Sequence, residues 1–332
     1  MEILHNQWDR DYLLTFYNPE PSNPNGKANL FTITNLRCTF DATLYVDNKE
    51  KTNKGSVSIY NMTEDTIKKL GQKFGRIVLG AGYKGHIATI IEGDVINIRT
   101  EKQGVDRVTT FELAPNFIDL AVKKIAYAFP KGVTLKALID GIALQFGIAR
   151  PATAEGKAWE KVVAPYGYPA YGTGKQVLDE VTRTYGLEWK IIDGVLHVTD
   201  RYGILDNGAE IAFVLSKDTG MIDIPYMDTE EVSKTIASAL SETEEALFHP
   251  PTFKKDGTPR KQTKYKARRY SVRVKALINP LARPNALFKI ETSNDDFKGL
   301  YRVRSVNFKG DTRGNDWYME IYGDQVEGVE YE

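Results

Sequence analysis

The sequence predicts a mainly β chain with an α+β insert: two similar β-barrel domains and, between them, a small α+β module. Three features lead there. Apolar–polar alternation in "LRCTFDATLYV" opens a run of strand signals through 30–114, and alternation returns after 266. Between 115 and 205 the apolar spacing changes from two residues to three or four, the helical period. Gly and charged turn residues punctuate the β regions at short intervals.

The elements follow in order. "NPEPSNPNG" (18–26) breaks the chain and sets off an N-terminal segment, 1–29, from a first β-barrel domain, 30–114. In "LRCTFDATLYV" Leu36, Cys38, Phe40, Ala42, Leu44 and Val46 alternate with polar residues, the pattern of a half-buried strand. Cys38 falls on the apolar face, where a thiol acts as a small buried hydrophobe. "GSVSIYNM", "RIVLGAGY", "ATIIEGDVINIRT" and "DRVTTFELA" are further strands, and "TEDTIKKLG" is a helix with Thr63 as its cap and Glu64 and Asp65 in its first turn. "LGAGYKG" follows a strand without opening a helix, so it reads as a β turn, not a phosphate loop. Glu92-Gly93-Asp94 reads as a turn between strands. Several short strands with one small helix suggest a closed or nearly closed barrel.

In the α+β module, 115–205, Leu135, Leu138, Ile139, Ile142 and Phe146 form one helical stripe stopped by Gly147. Val177, Leu178, Val181 and Tyr185 form another stopped by Gly186. "IIDGVL" then carries the Asp-Gly signature of a hairpin. Residues 206–265 form a connecting segment that contains strands and a long basic excursion. The second β-barrel domain, 266–332, closes with "WYMEIYG", which puts Trp317, Met319 and Ile321 inward and Tyr318, Glu320 and Tyr322 outward, and ends in an acidic tail.

Composition narrows the functions. Lys plus Arg and Asp plus Glu are 44 each, which argues against a generic nucleic-acid binder. The stretch 254–275 is strongly basic, with only Asp256 opposing it, whereas the residues from Asp316 to Glu332 include no Lys or Arg. That polarity suits docking between neighbours, and a basic stretch can equally line a channel. No apolar run approaches the roughly 20 residues that span a bilayer, so no membrane insertion is expected. The opening residues lack a signal-peptide layout, which predicts folding in the cytoplasm.

The four histidines are dispersed, and no phosphate loop, nucleophile elbow or zinc signature occurs. No catalytic, cofactor-binding or metal-binding residue is therefore expected, and the chain reads as no enzyme. Two alternatives have specific residues behind them. A cell-wall hydrolase would need paired acids such as Glu92 and Asp94. An oligonucleotide-binding barrel would use Tyr265 and Tyr270 interleaved with Arg268, Arg269 and Arg273.

Three stretches, read together, resemble the baseplate hub proteins of contractile-tailed bacteriophages, related to the hub part of type VI secretion spikes. The first is Ile59-Tyr60-Asn61-Met62-Thr63, stepping into a helix. The second is "LGAGY" followed by Ile91-Glu92-Gly93-Asp94-Val95, where Phe is commoner at position 91. The third is the closing "GLYRV" with the hairpin Gly310-Asp311-Thr312, Gly314 and Trp317, where Asn307 or Phe308 stands near the family's usual His. The resemblance covers most of 30–325. It implies a tail-hub-like fold and a homotrimer whose paired barrels make a six-membered ring. Such a ring joins the sixfold tail tube, or its initiator proteins, to the threefold spike, and DNA passes through it without specific binding. It implies a place in the virion tail baseplate, assembled in the host cytoplasm, and no cofactor. Tyr318, Tyr322, Arg268 and Arg269 are the interface candidates.

Overall fold

A computed structural model describes residues 9–20, 23–45, 53–71, 75–115, 118–149, 158–192, 194–200, 212–227 and 271–326. They divide into two compact units. Described residues within Met1–Pro115, Ile204–Thr235 and Lys266–Glu332 form the first, and those within Asn116–Gly203 the second.

The first unit opens with β1 (Arg10–Glu20), β2 (Asn23–Ile33), β3 (Cys38–Tyr45) and β4 (Lys54–Tyr60). Helix α1 (Glu64–Gly71), β5 (Arg76–Tyr83), β6 (His86–Gln103) and β7 (Asp106–Ala114) follow. Residues 1–29, expected to precede the first β domain, supply β1 and part of β2, and β1 pairs antiparallel with β5 from Arg10↔Tyr83 to Tyr17↔Arg76. Strand β3 has the alternation read in the sequence, with Cys38, Phe40, Ala42 and Leu44 buried. Thr63 caps α1 by accepting the Thr66 N–H at 3.3 Å. The β5–β6 hairpin turns on Lys84-Gly85, with Gly85 at φ 85°, so of the glycine-rich "LGAGYKG", read as a turn, only the last two residues turn and Leu79–Tyr83 continue β5.

Glu92-Gly93-Asp94 is a correction to the sequence reading. The tripeptide lies inside β6, an 18-residue strand, where β6 hands over from β5 to β7. Gly93 permits the handover because a Cβ there would meet the Ala114 backbone at 3.1 Å. The acids that suggested an exposed turn are buried beside Arg76, at 3.4 Å from Glu92 and 3.2 Å from Asp94.

The second unit holds β8 (Lys124–Phe129), β9 (Val133–Thr134), α2 (Leu135–Phe146), β10 (Val163–Ala164), β11 (Tyr168–Thr173), α3 (Gly174–Tyr185), β12 (Leu187–Ile192) and β13 (Val195–Asp200). Both helices are bounded as their sequences dictate. Thr134 and Thr173 cap the starts, and Gly147 (φ 71°) and Gly186 (φ 66°) take the left-handed exits. Their stripes, including Leu138, Ile142, Phe146, Val177 and Val181, share a core with Trp189, whose indole N–H donates to Asp179 at 2.8 Å. The β12–β13 hairpin is the one its Asp-Gly pair predicted.

The chain then returns to the first unit with β14 (Phe213–Leu215), β15 (Tyr226–Met227), β16 (Ser271–Leu277), β17 (Leu287–Ile290), β18 (Gly299–Asp311) and β19 (Trp317–Gln325). Thirteen strands make one sheet along the path β15-β16-β19-β18-β3-β4-β7-β6-β5-β1-β2, with β17 on β18 and β14 parallel to β17. The two β regions thus meet edge to edge, β18 against β3, from Ser305↔Tyr45 to Asp311↔Thr39. Among the described residues the path ends at β15 and β2 and no closed barrel forms. One core serves both lobes: Leu14, Phe40, Ile59, Leu79 and Phe111 cluster with Val274, Phe288, Phe308, Trp317 and Ile321. Arg283 adds a polar tie between the lobes. Its guanidinium donates at 2.8 Å to the carbonyl of Ile90, the extra residue of a bulge in β6.

Candidate interface and the hairpin that carries it

The β18–β19 hairpin concentrates side-chain contacts in two places. Its tip is where the residues of the third sequence motif converge. Gly310 faces the Phe40 ring so closely that a Cβ would sit 2.2 Å from it, and Trp317 meets the same ring edge-on at 5.5 Å. Asp311 accepts from Arg37 Nε at 3.2 Å and Nη2 at 2.7 Å, and from the Arg313 N–H at 2.9 Å. Burial works against its charge, but these donors prevail and hold the carboxyl below its ordinary range. Thr312 pairs reciprocally with Cys38: its hydroxyl accepts the Cys38 N–H and its own N–H donates to the Cys38 carbonyl, both at 3.0 Å. Burial pushes the Cys38 thiol well up, which keeps it protonated and inert.

Arg10 completes the tip. From β1, far along the sheet path, its guanidinium donates to the carbonyls of Gly314 at 2.6 Å and Asp311 at 3.3 Å and lies 5.7 Å from the Trp317 ring. Nearby, the Tyr12 hydroxyl donates to the Leu36 carbonyl at 2.5 Å. Side chains therefore bring the far strand back to the hairpin where, among the described residues, no backbone ladder does.

The first motif has a local cause as well. Asn61 sits at φ 57°, where a short polar side chain is tolerated. Its amide donates to Asp106 at 2.8 Å and accepts the Arg107 N–H at 2.9 Å, fixing the entry to α1 against the β6–β7 hairpin.

The other end is the outward face of β16, β19 and β18. Trp317, Met319 and Ile321 are buried as the alternation required, which leaves Tyr318, Glu320 and Tyr322 outward and half-buried. Arg273 bonds Glu320 at 2.5 Å, and its guanidinium lies 5.1 Å from the Tyr322 ring and 5.7 Å from that of Tyr226. The bond to Glu320 holds the Arg273 charge still more firmly than usual. Lys275 stacks on Tyr318 at 4.0 Å. Lys309 is raised by Tyr318 and Asp316 together. Across the lobe junction Asn307 donates to Asp41 at 2.7 Å and Thr43 at 2.8 Å. The structure thus brings Tyr318 and Tyr322 onto one stripe of rings and cations, and adds Tyr226, Arg273 and Lys275 to it. Arg268 and Arg269 lie outside the described residues. Cross-strand register is what links Tyr226 to this stripe, and a linear reading has no access to it.

Among the described residues no group of three or more His, Cys, Asp or Glu is arranged for a metal ion, and no helix is long and apolar enough to cross a membrane.

The chain matches no family model. No curated protein matches its sequence. Solved structures do match in fold. A tail protein of Neisseria meningitidis aligns with TM-score 0.59 at 11% identity, over 95% of this chain and 96% of that one. The two chains share a fold. A prophage MuSo2 tail protein of Shewanella oneidensis aligns with TM-score 0.57 at 11% identity, over 96% of this chain and 97% of that one. An E. coli type VI secretion component, itself described as similar to bacteriophage T4 tail proteins, aligns with TM-score 0.56 at 9% identity, over 88% of this chain and 74% of that one.

Proposed function

We propose that this chain is a structural hub subunit of a contractile phage tail baseplate. In this reading three copies form a ring that joins the sixfold tail tube to the threefold spike and leaves a passage for DNA. The observation that supports it is the junction of β3 with β18, which sets two β lobes side by side in one subunit. Three such subunits present six lobes around an axis, so one chain can match sixfold symmetry on one side and threefold on the other. Near end-to-end likeness to tail proteins supports the same reading.

The work done is positional; no bond is made or broken. The acids that a cell-wall hydrolase would need, Glu92 and Asp94, are both tied to Arg76 inside the sheet. Tyr318 and Tyr322 supply amphipathic rings of the kind enriched at protein interfaces, and Arg273 and Lys275 hold those rings in place. Sizing with light scattering tests the reading: the wild type runs as a trimer, and the variant with Tyr318→Asp and Tyr322→Asp runs as a folded monomer. A wild type that stays monomeric at every concentration rejects the ring. A trimer that survives both substitutions removes the two tyrosines from its interface.

A further inference from the structure

A two-stranded sheet has two edges, and those of the β8–β11 pair in the second unit differ. Backbone groups of an antiparallel strand turn alternately toward the partner strand and away from it. Pro169 has no N–H, and the Thr173 N–H goes to Gln176 Oε1 at 3.0 Å. These residues of β11, with Tyr171 between them, are therefore the ones that turn away from β8. A proline and an occupied donor blunt that edge. The register Thr173↔Lys124, Tyr171↔Ala126 and Pro169↔Ala128 then gives the outward positions of β8. Lys124, Ala126 and Ala128 are exposed, and among the described residues no backbone group bonds them on that side. The β8 edge is open to a further strand.

Its surroundings are apolar and basic. Tyr171, opposite Ala126, is 82% exposed, and Tyr127 is 48% exposed. No Asp or Glu occurs between Asp119 and Asp140 or between Glu160 and Asp179, while these two runs hold six Lys. Asp140 and Asp179 bond Lys136 and Lys175 at 3.0 and 2.9 Å, Glu160 is buried, and Glu180 faces the Tyr168 hydroxyl. Lys124 in the strand and Lys131 just beyond it are exposed and make no ion pair among the described residues. Such an edge repels its own kind and selects an acidic strand.

Of the stretches outside the described residues, 327–332 alone combines several acids with no Lys or Arg. It follows Val326, whose N–H donates to the Leu300 carbonyl at 2.9 Å, and it matches the six residues of β8 in length. Laid antiparallel with Glu332 opposite Lys124, it sets Glu330 and Gly328 opposite Ala126 and Ala128 on one face. On the other face Tyr331 and Val329 meet Ile125 and Tyr127. A slip by one puts an acid against Ile125, and a parallel strand that keeps the apolar row sets Gly328 against Lys124. Resting on the ring reading, which supplies a second copy, we propose that residues 327–332 of one copy add as an antiparallel strand to the β8 edge of the next. The contact is heterologous, donor segment to acceptor edge, as a ring requires.

Engineered cysteines test it, because native Cys38 is fully buried and silent to thiol reagents. The variant carrying Ala126→Cys and Glu330→Cys, treated with a bismaleimide, should give covalent dimers and trimers on a denaturing gel, and each single variant should give neither. Cross-linking by Ala126→Cys alone overturns the proposal, since the edge would then meet its own counterpart. A monomer band with both thiols consumed overturns it as well, because strand and edge would then belong to one copy. A double variant that sizes as a trimer yet stays unlinked overturns it and leaves the ring standing. A wild type that is monomeric at every concentration fails the ring and the strand exchange together, a result read from sizing before any cross-linker is added. Charge exchange gives a second readout. Lys124→Glu and Glu332→Lys should each weaken assembly about threefold, and the two together should restore it. Additive weakening in the double variant would also overturn the pairing.

Discussion

The β18–β19 hairpin has aromatic–cation contacts at its tip and along its length, and the two sets are built differently. At the tip Arg37 lies 4.4 Å from the Tyr60 ring and bonds Asp311 through two nitrogens, with the Asp311 side chain 14% exposed. Arg10 directs its donors at backbone carbonyls. Along the strand Arg273 makes one bond to Glu320, 25% exposed, and Lys275 lies 4.0 Å from the Tyr318 ring. Breaking the more deeply buried carboxylate, which has several donors, leaves desolvated partners behind, whereas a more exposed pair with a single bond is replaced by water at less cost. The tip therefore belongs to folding, and the strand face is the one proposed to meet another chain.

The sharpest way to break this contrast is to truncate neighbours that point opposite ways. Trp317→Ala empties a buried site against Phe40 and should cost about 3–5 kcal/mol in denaturant unfolding. Tyr318→Ala, one residue on, should change stability by about 1 kcal/mol or less and weaken assembly instead. Equal losses of stability would mean that the face and the core are not separate. The ion pairs give the next largest effect. Asp311→Ala removes a bidentate, partly buried acceptor and should cost about 2 kcal/mol. Glu320→Ala should stay within about 1 kcal/mol of wild type.

Acid sharpens the same comparison. Asp311 is held below the ordinary carboxylate range by Arg37 and the Arg313 N–H despite its burial. A carboxyl depressed in the folded state contributes fully above its unfolded value, about 3.9, and loses that contribution as pH falls through the folded one. The stability gap between wild type and Asp311→Asn should therefore be constant from neutral pH down to about 4 and close below it. A gap independent of pH would show that the carboxylate charge is not what locks the tip.

What was legible in the sequence follows the range of the interactions involved. The β3 alternation, the α2 and α3 stripes with their glycine exits, and the inward Trp317, Met319 and Ile321 are written in local periodicity, and each is found where expected. Glu92-Gly93-Asp94 was misread because Arg76, which offsets both acids, lies on another strand. The β8–β11 pair was missed because Pro169 and Gly172 interrupt the second strand's pattern, and its register with Lys124–Phe129 joins distant residues. The tip motif was visible as a string of residue types, but Arg10 and Arg37, which give it physical meaning, lie some 270 to 300 positions away. Tyr318 and Tyr322 were legible as outward rings, while Tyr226 and Arg273 joined them only through cross-strand register.

The smallest expected effect comes from two asparagines that share a backbone shape and differ in surroundings. Asn61 (φ 57°) and Asn285 (φ 67°) both take the left-handed conformation. Asn61 uses its amide to hold Asp106 and the Arg107 N–H, so Asn61→Gly should relax the backbone yet lose both bonds, a net cost of about 1 kcal/mol. Asn285 is fully buried, and among the described residues neither amide atom reaches a hydrogen-bond partner. Glycine there keeps the conformation and removes a desolvated amide, so Asn285→Gly should lie within about 0.5 kcal/mol of wild type on either side. Thermal unfolding of the two variants side by side reads the difference. If Asn285→Gly proves the more damaging, its side chain is packing the loop that carries Arg283 to the β6 bulge, and the two lobes depend on that loop more than on the β3–β18 ladder.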